Sequence, residues 1–130
     1  MATDPQFTTT VRHEMVQIST ANTNRDGTGT LGTVFTAGAT GSRIEHIEIM
    51  GVGTVTAGVI RLFIDDGTNK RLWREVAVTA TTPSGTVVGF RTTIDCSYLS
   101  VVLILKSIES LKASTHNGET FNVFATGGDY

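Results

Sequence analysis

The chain has 130 residues, a formal net charge of -2 and a pI near 5.8, enough sequence for one domain and no basic footprint for nucleic acid. Only 17% of it is charged and 39% hydrophobic, with 23 Thr and 14 Gly making up the difference. That balance favours strands over long helices, because Thr fits a pleated surface and Gly marks turns and bulges. A single cysteine, Cys96, excludes an internal disulfide and a multi-cysteine metal site. The longest apolar run, Val101 to Leu105, is five residues, against the ~20 of a membrane helix. The opening MATDPQFTTT shows neither the basic nor the apolar region of a secretory signal, so the expectation is synthesis in a cytoplasm and work as a soluble part.

In chain order, residues 1 to 10 are polar, contain Pro5, and hold one large apolar residue, Phe7. Such a segment buries too little apolar area to offset its own ordering entropy. It reads first as a frayed terminus, with the alternative that residues 1–12 are an extended N-terminal arm that orders on a partner through Phe7. Val11 to Ser19 alternates without a cleanly apolar face and suits an edge strand. NTNRDGTG, from Asn22, is a turn-rich loop, and GTLGTVFTA, ending at Ala37, reads as the second strand. In RIEHIEIM, Ile47 and Ile49 fall on one face and Ile44 on the other. This phase slip predicts a β-bulge near Glu45 and His46.

The most legible stretch is Val59 to Val78, VIRLFIDDGTNKRLWREVAV. Two β-branched and apolar runs flank DDGTNK, whose Asp-Gly step supplies the positive φ of a hairpin turn. Simple alternation puts Ile60, Leu62 and Ile64 inward with Leu72, Val76 and Val78, and puts Phe63 and Trp73 on the opposite face. Large apolar residues on both faces of a hairpin need cover on both sides, which points to a subunit interface at Phe63, Trp73 and Arg74. Further along, TVVGFRTTI (to Ile94) reads as a strand. Residues 97–115 read as a strand, a turn at Lys106 to Glu109 and a second strand over Ser110 to Ser114, with a helix as the alternative because Leu105, Ile108 and Leu111 fall at helical spacing. TFNVFAT, from Thr120, is the last strand, with Phe121, Val123 and Ala125 on one face. About eight or nine short strands with turns every eight to twelve residues predict an all-β fold. The expected fold is a single-domain jelly roll or β-sandwich of about eight strands over residues 13–130.

The chemistry-bearing residues favour structural roles. Asp65-Asp66-Gly67-Thr68-Asn69 lacks the alternating ligand frame of a calcium loop, so it is expected to be an ordinary turn. His13, His46 and His116 have no His partner at i+2 or i+4 and are expected to be structural, with no metal site. Cys96, His116 and Asn117 are the residue types of a thiol hydrolase, but nothing local activates the thiol, so no catalytic residues and no enzyme are expected. No phosphate or dinucleotide glycine pattern occurs, so no cofactor is expected. Lys70, Arg71 and Arg74 beside Trp73 leave a phosphate or sugar contact open.

The strings RLFIDDGTNKRLWREVAVTATTPS (from Arg61) and SLKASTHNGETFNVFATGGDY (from Ser110) resemble the small β-rich virion proteins of tailed bacteriophages. The nearest family is the capsid decoration, or cement, proteins, and the resemblance covers residues 57–130. It implies a jelly-roll-like domain, commonly a homotrimer, on the capsid surface, where it bridges subunits of the major capsid protein and stabilises the head. It also implies a terminal arm running between neighbours, which Phe7 would anchor. Nucleic acid, membrane and small-molecule substrates are not expected partners. The alternatives are a tail or baseplate component contacting the host surface and a carbohydrate-binding jelly-roll module using Trp73.

Overall fold

The computed structural model describes residues 7–96 and 102–130, and among these it shows nine strands and no helix. They are β1 (Thr10–Ile18), β2 (Gly32–Thr36), β3 (Ser42–Gly51), β4 (Gly58–Asp65), β5 (Lys70–Val78), β6 (Arg91–Asp95), β7 (Leu103–Leu105), β8 (Ser110–Thr115) and β9 (Phe121–Asp129). Two antiparallel sheets pack face to face as an all-β sandwich. One has the order β1-β9-β3-β6, with β7 also on β3; the other is β2-β8-β4-β5. The pairing is nested. β4 pairs with β5, β3 with β6 and β7, β2 with β8, and β1 with β9.

The core between the sheets comes from the inward positions of this alternation. Ile47, Ile49, Phe121 and Val123 of one sheet meet Phe35, Ile60, Leu62 and Leu111 of the other, all essentially inaccessible. Phe90 meets Phe121 edge to face at 6.3 Å between ring centroids. The bulge expected in the third strand is present: the β3–β9 register shifts between Ile44 and His46, leaving Glu45 as the extra residue. It carries Ile44 inward with Ile47 and Ile49, so all three isoleucines are buried. Opposite it sits Gly127, where a Cβ would run into the backbone of Arg43 and Ile44.

Several boundaries moved. The chain joins the sheet at Thr10, so Thr10, Val11 and Arg12 of the expected arm are strand residues paired with β9; residues 1–6 lie outside the described part. The strand expected over residues 86–94 shrinks to β6, because the Ser84 hydroxyl accepts the backbone N–H groups of Thr86 and Val87 and bends that segment into a turn. The strand–turn–strand expected over 97–115 is present as β7, a turn and β8, its first residues lying outside the described part.

Polar contacts close the side where β1 faces β2. The Arg12 guanidinium lies 4.2 Å from the Phe35 ring centroid and donates to the Thr36 carbonyl at 2.7 Å and to Asp129 Oδ1 at 2.9 Å. Ser42 donates to the same carboxylate at 2.5 Å and accepts from the Gly38 N–H at 2.8 Å. The Ser42 and Arg12 hydrogen bonds hold the Asp129 carboxyl below the usual carboxylate range. Arg12 and Glu14 are charges on the inward side of an edge strand, a pattern that discourages pairing with another chain.

Candidate functional site

The β4–β5 hairpin forms as expected, but its facing differs. Asp65 accepts the Gly67 N–H, and Asp66 accepts those of Thr68 and Asn69, so the acidic loop is a turn stabilised by its own carboxylates. Those backbone donors hold the Asp66 carboxyl low. Beyond the turn the register shifts: Arg74 lies opposite Leu62 and Leu72 opposite Phe63, which makes Trp73 the extra residue of a bulge in β5. The bulge reverses the phase. Trp73 packs against the core and Leu72 joins Phe63 on the outer face, the opposite of the facing that alternation predicts. Arg74 lies over the Trp73 ring, 4.8 Å from its centroid.

Phe63 points outward, yet it is 0% exposed. Its cover is this chain's own segment 19–31, which crosses the outer face of the β2 sheet. Asn22 bonds to the Thr115 carbonyl, and its side-chain amide ties the loop together through the Thr28 and Thr30 carbonyls. Arg25 then reaches Glu75 at 2.5 Å, Glu75 also takes Arg61 at 3.0 Å, and Gly27 lies so close that a Cβ would stand 2.6 Å from that of Lys70. The hydrogen bond from Arg25, reinforced by its charge and by Arg61, holds the Glu75 carboxyl low. The hairpin surface expected to meet a partner is thus sealed from within. Of the four residues expected at an interface, Phe63 is buried, Trp73 and Arg74 are half-buried against one another, and Phe7 is exposed.

Among the described residues, the face left open is the outer side of the β1 sheet. Register places its outward side chains in rows: Val11, Gly128, Arg43, Ile104; His13, Thr126, His46, Asp95; Met15, Phe124, Glu48, Thr93; and Gln17, Asn122, Met50, Arg91. The β1–β9 half carries an apolar patch. Val11 is 82% and Met15 67% exposed, and His13 stacks on Phe124 with ring centroids 5.8 Å apart. The β3–β6 half is charged, with Glu48 bonded to Arg91 at 2.5 Å and 3.9 Å from His46. Within the β1–β9 half lies a depression of about 210 Å³ lined by Met15, Val16, Gln17, Asn122 and Phe124. Gln17 donates to Asn122 at 2.9 Å on its rim. The outward alternation of Val11, His13 and Met15 was the one sequence signal for this face.

At one end of the sandwich the β4–β5 and β7–β8 turns sit side by side. The second turn is closed by the Glu109 N–H on the Lys106 carbonyl, and the Glu109 carboxylate accepts the Lys106 N–H at 2.6 Å. Its third residue, Ile108, has φ 71° and is 74% exposed. A β-branched residue in that left-handed region costs roughly 1–2 kcal/mol.

The hydrolase-type residues are not assembled. Cys96 follows β6 and bonds through its N–H to Glu45, whereas His116 follows β8 at the other end of the sandwich and bonds to Val59. Burial pushes the Cys96 thiol up, away from the reactive thiolate. No protein-family model and no curated protein sequence matches this chain.

Proposed function

We propose that this chain is a non-enzymatic structural subunit of a tailed-phage virion, a capsid decoration or cement protein that self-associates as a homotrimer and bridges major capsid protein subunits at the capsid surface. The observation that carries an assembly role is the pair of unequal faces. One sheet is capped by the chain's own loop, and the other presents an uncovered, half-apolar surface around Val11, Met15 and Phe124. Supporting the virion class is the nested strand order. The order β1-β9-β3-β6 facing β2-β8-β4-β5 is what rolling up one long antiparallel ribbon would give, which supports reading the sandwich as a jelly roll of the kind found in viral capsid and lectin domains. The resemblance over residues 57–130 supports the same class. Lattice attachment needs only modest individual contacts, since many act together.

The carbohydrate alternative finds less support, because Arg74 covers the Trp73 ring on which a sugar would stack. The test is to compare particles made with and without this chain. The expected result is that the chain co-purifies with heads and that heads lacking it rupture at lower temperature. Its absence from purified heads would refute the capsid assignment, and its recovery with tails would move it to the tail or baseplate.

A further inference from the structure

We propose that Asn117 is a self-modification site: its side-chain amide condenses with the backbone nitrogen of Gly118, and the acidic product unfastens the latch that ties the β8–β9 turn to Thr56. The inference is independent of virion membership and of self-association. Asn117-Gly118 is the only Asn-Gly step in the sequence. Glycine in second place matters because, without a Cβ, its nitrogen is uncrowded and its backbone is free to turn toward the preceding side chain. The structure leaves that nitrogen uncommitted. Residues 116–118 form a bend, Gly118 is exposed, and its N–H meets no acceptor among the described residues. The two Asp-Gly steps are tied down instead: Asp65 Oδ1 holds the Gly67 N–H at 2.8 Å, and Asp26 Oδ1 holds the Thr28 N–H and hydroxyl.

The step balances with water as the sole co-reactant. The Gly118 nitrogen gives up its hydrogen and bonds to Asn117 Cγ; the Cγ–Nδ2 bond breaks, and ammonia departs with that hydrogen, leaving a five-membered succinimide. Water then opens the ring at either carbonyl, giving aspartate, or isoaspartate with the main chain rerouted through the side-chain carbons. The surroundings make this change felt. Asn117 Nδ2 donates to Thr56 Oγ1 at 2.7 Å, Thr56 Oγ1 donates to Glu119 Oε1 at 2.7 Å, and the Thr56 N–H donates to Glu119 Oε2 at 2.9 Å. The Thr56 hydroxyl bond, above all, holds the Glu119 carboxyl below the usual carboxylate range, so it is charged at neutral pH. A carboxylate at position 117 offers no hydrogen to Thr56, whose single hydroxyl hydrogen is already directed at Glu119. It also sets a second negative charge beside that carboxylate. The lost donor and the repulsion act in the same direction and free the turn from Thr56.

The test incubates the folded chain in mildly alkaline buffer at body temperature and follows it by intact mass and peptide mapping, with the peptide STHNGETF as the unfolded control. The wild type is expected to gain about 1 Da and one negative charge, mapped to Asn117. Gly118→Ala is accommodated, since a Cβ there comes no closer than 3.8 Å to the Ser19 carbonyl oxygen. It is expected to convert at least ~10-fold more slowly, equivalent to ~1.4 kcal/mol of added barrier. Asn117→Asp, which carries the product's charge from the outset, is expected to speed hydrogen exchange at the Thr56 amide about 5-fold or more while the sheet amides stay protected. A chain that keeps the Asn117 amide while the peptide converts, or a Gly118→Ala variant that converts at the wild-type rate, would overturn the modification. An unchanged Thr56 amide in Asn117→Asp would overturn the latch.

Discussion

Replacing Asp129 by Ala tests the polar closure between β1 and β2. The carboxylate accepts from Arg12 Nη1 at 2.9 Å and Ser42 Oγ at 2.5 Å, with Arg12 and Asp129 side chains 21% and 24% exposed. Hydrogen bonds to a charged group contribute up to ~3 kcal/mol each, and residual solvent access brings these two nearer ~1 kcal/mol apiece. The expected loss is about 2 kcal/mol, and for a domain of this size about 8 °C in Tm. The effect depends on pH in a defined direction. Because the folded carboxyl sits below its ordinary value of 3.8, the unfolded chain takes up the proton first as pH falls. The stabilisation is therefore complete above the unfolded value and fades as pH drops through the depressed folded one. Urea or thermal unfolding followed by circular dichroism at pH 7 and in acid should show the gap between wild type and Asp129→Ala narrowing in acid. A gap under ~2 °C at neutral pH, or one that does not change in acid, would refute the assignment of the closure to this carboxylate.

Phe63→Ala should cost about 3–5 kcal/mol, as for a fully buried ring, and lower the urea midpoint; a stable protein with altered assembly would instead restore Phe63 as a contact residue. Gly127→Ala should abolish folding in expression trials, because the added carbon meets the Arg43 backbone across the Glu45 bulge. Arg25→Ala should leave the sandwich intact but speed hydrogen exchange at the amides of residues 22–30, since the Arg25–Glu75 bridge fastens that loop. Unchanged exchange there would mean that Asn22 alone fastens it.

Much of this fold is legible in the residues, and what is not has identifiable physical causes. The hairpin turn is written in DDGTNK, and the β3 bulge in the slip of its isoleucines, because in both cases the signal is local. The β5 bulge carries no such mark. Its residues, Leu72, Trp73 and Arg74, mix apolar surface with charge, so no phase break is visible and the expected facing of Trp73 came out reversed. The sealing of Phe63 depends on a loop some forty residues upstream in sequence, and nothing in NTNRDGTG announces that it lies across another sheet. The open face was harder still. Its apolar residues sit on β1 and β9, at opposite ends of the chain, and become one surface only through their register.

That register also sets when the molecule becomes complete. β9 lies between β1 and β3, yet it is the last of the nine described strands in chain order. While the chain is being synthesised, β1 has no neighbour in its sheet and waits with its backbone unpaired until Phe121–Asp129 arrives. Folding is therefore dominated by pairings between residues far apart in sequence, slow by the standard of its size. A chain cut short before Phe121 would lose the partner of two strands at once and leave open edges able to aggregate. Only chains that carry β9 would then enter an assembly, a quality check built into the order of the strands.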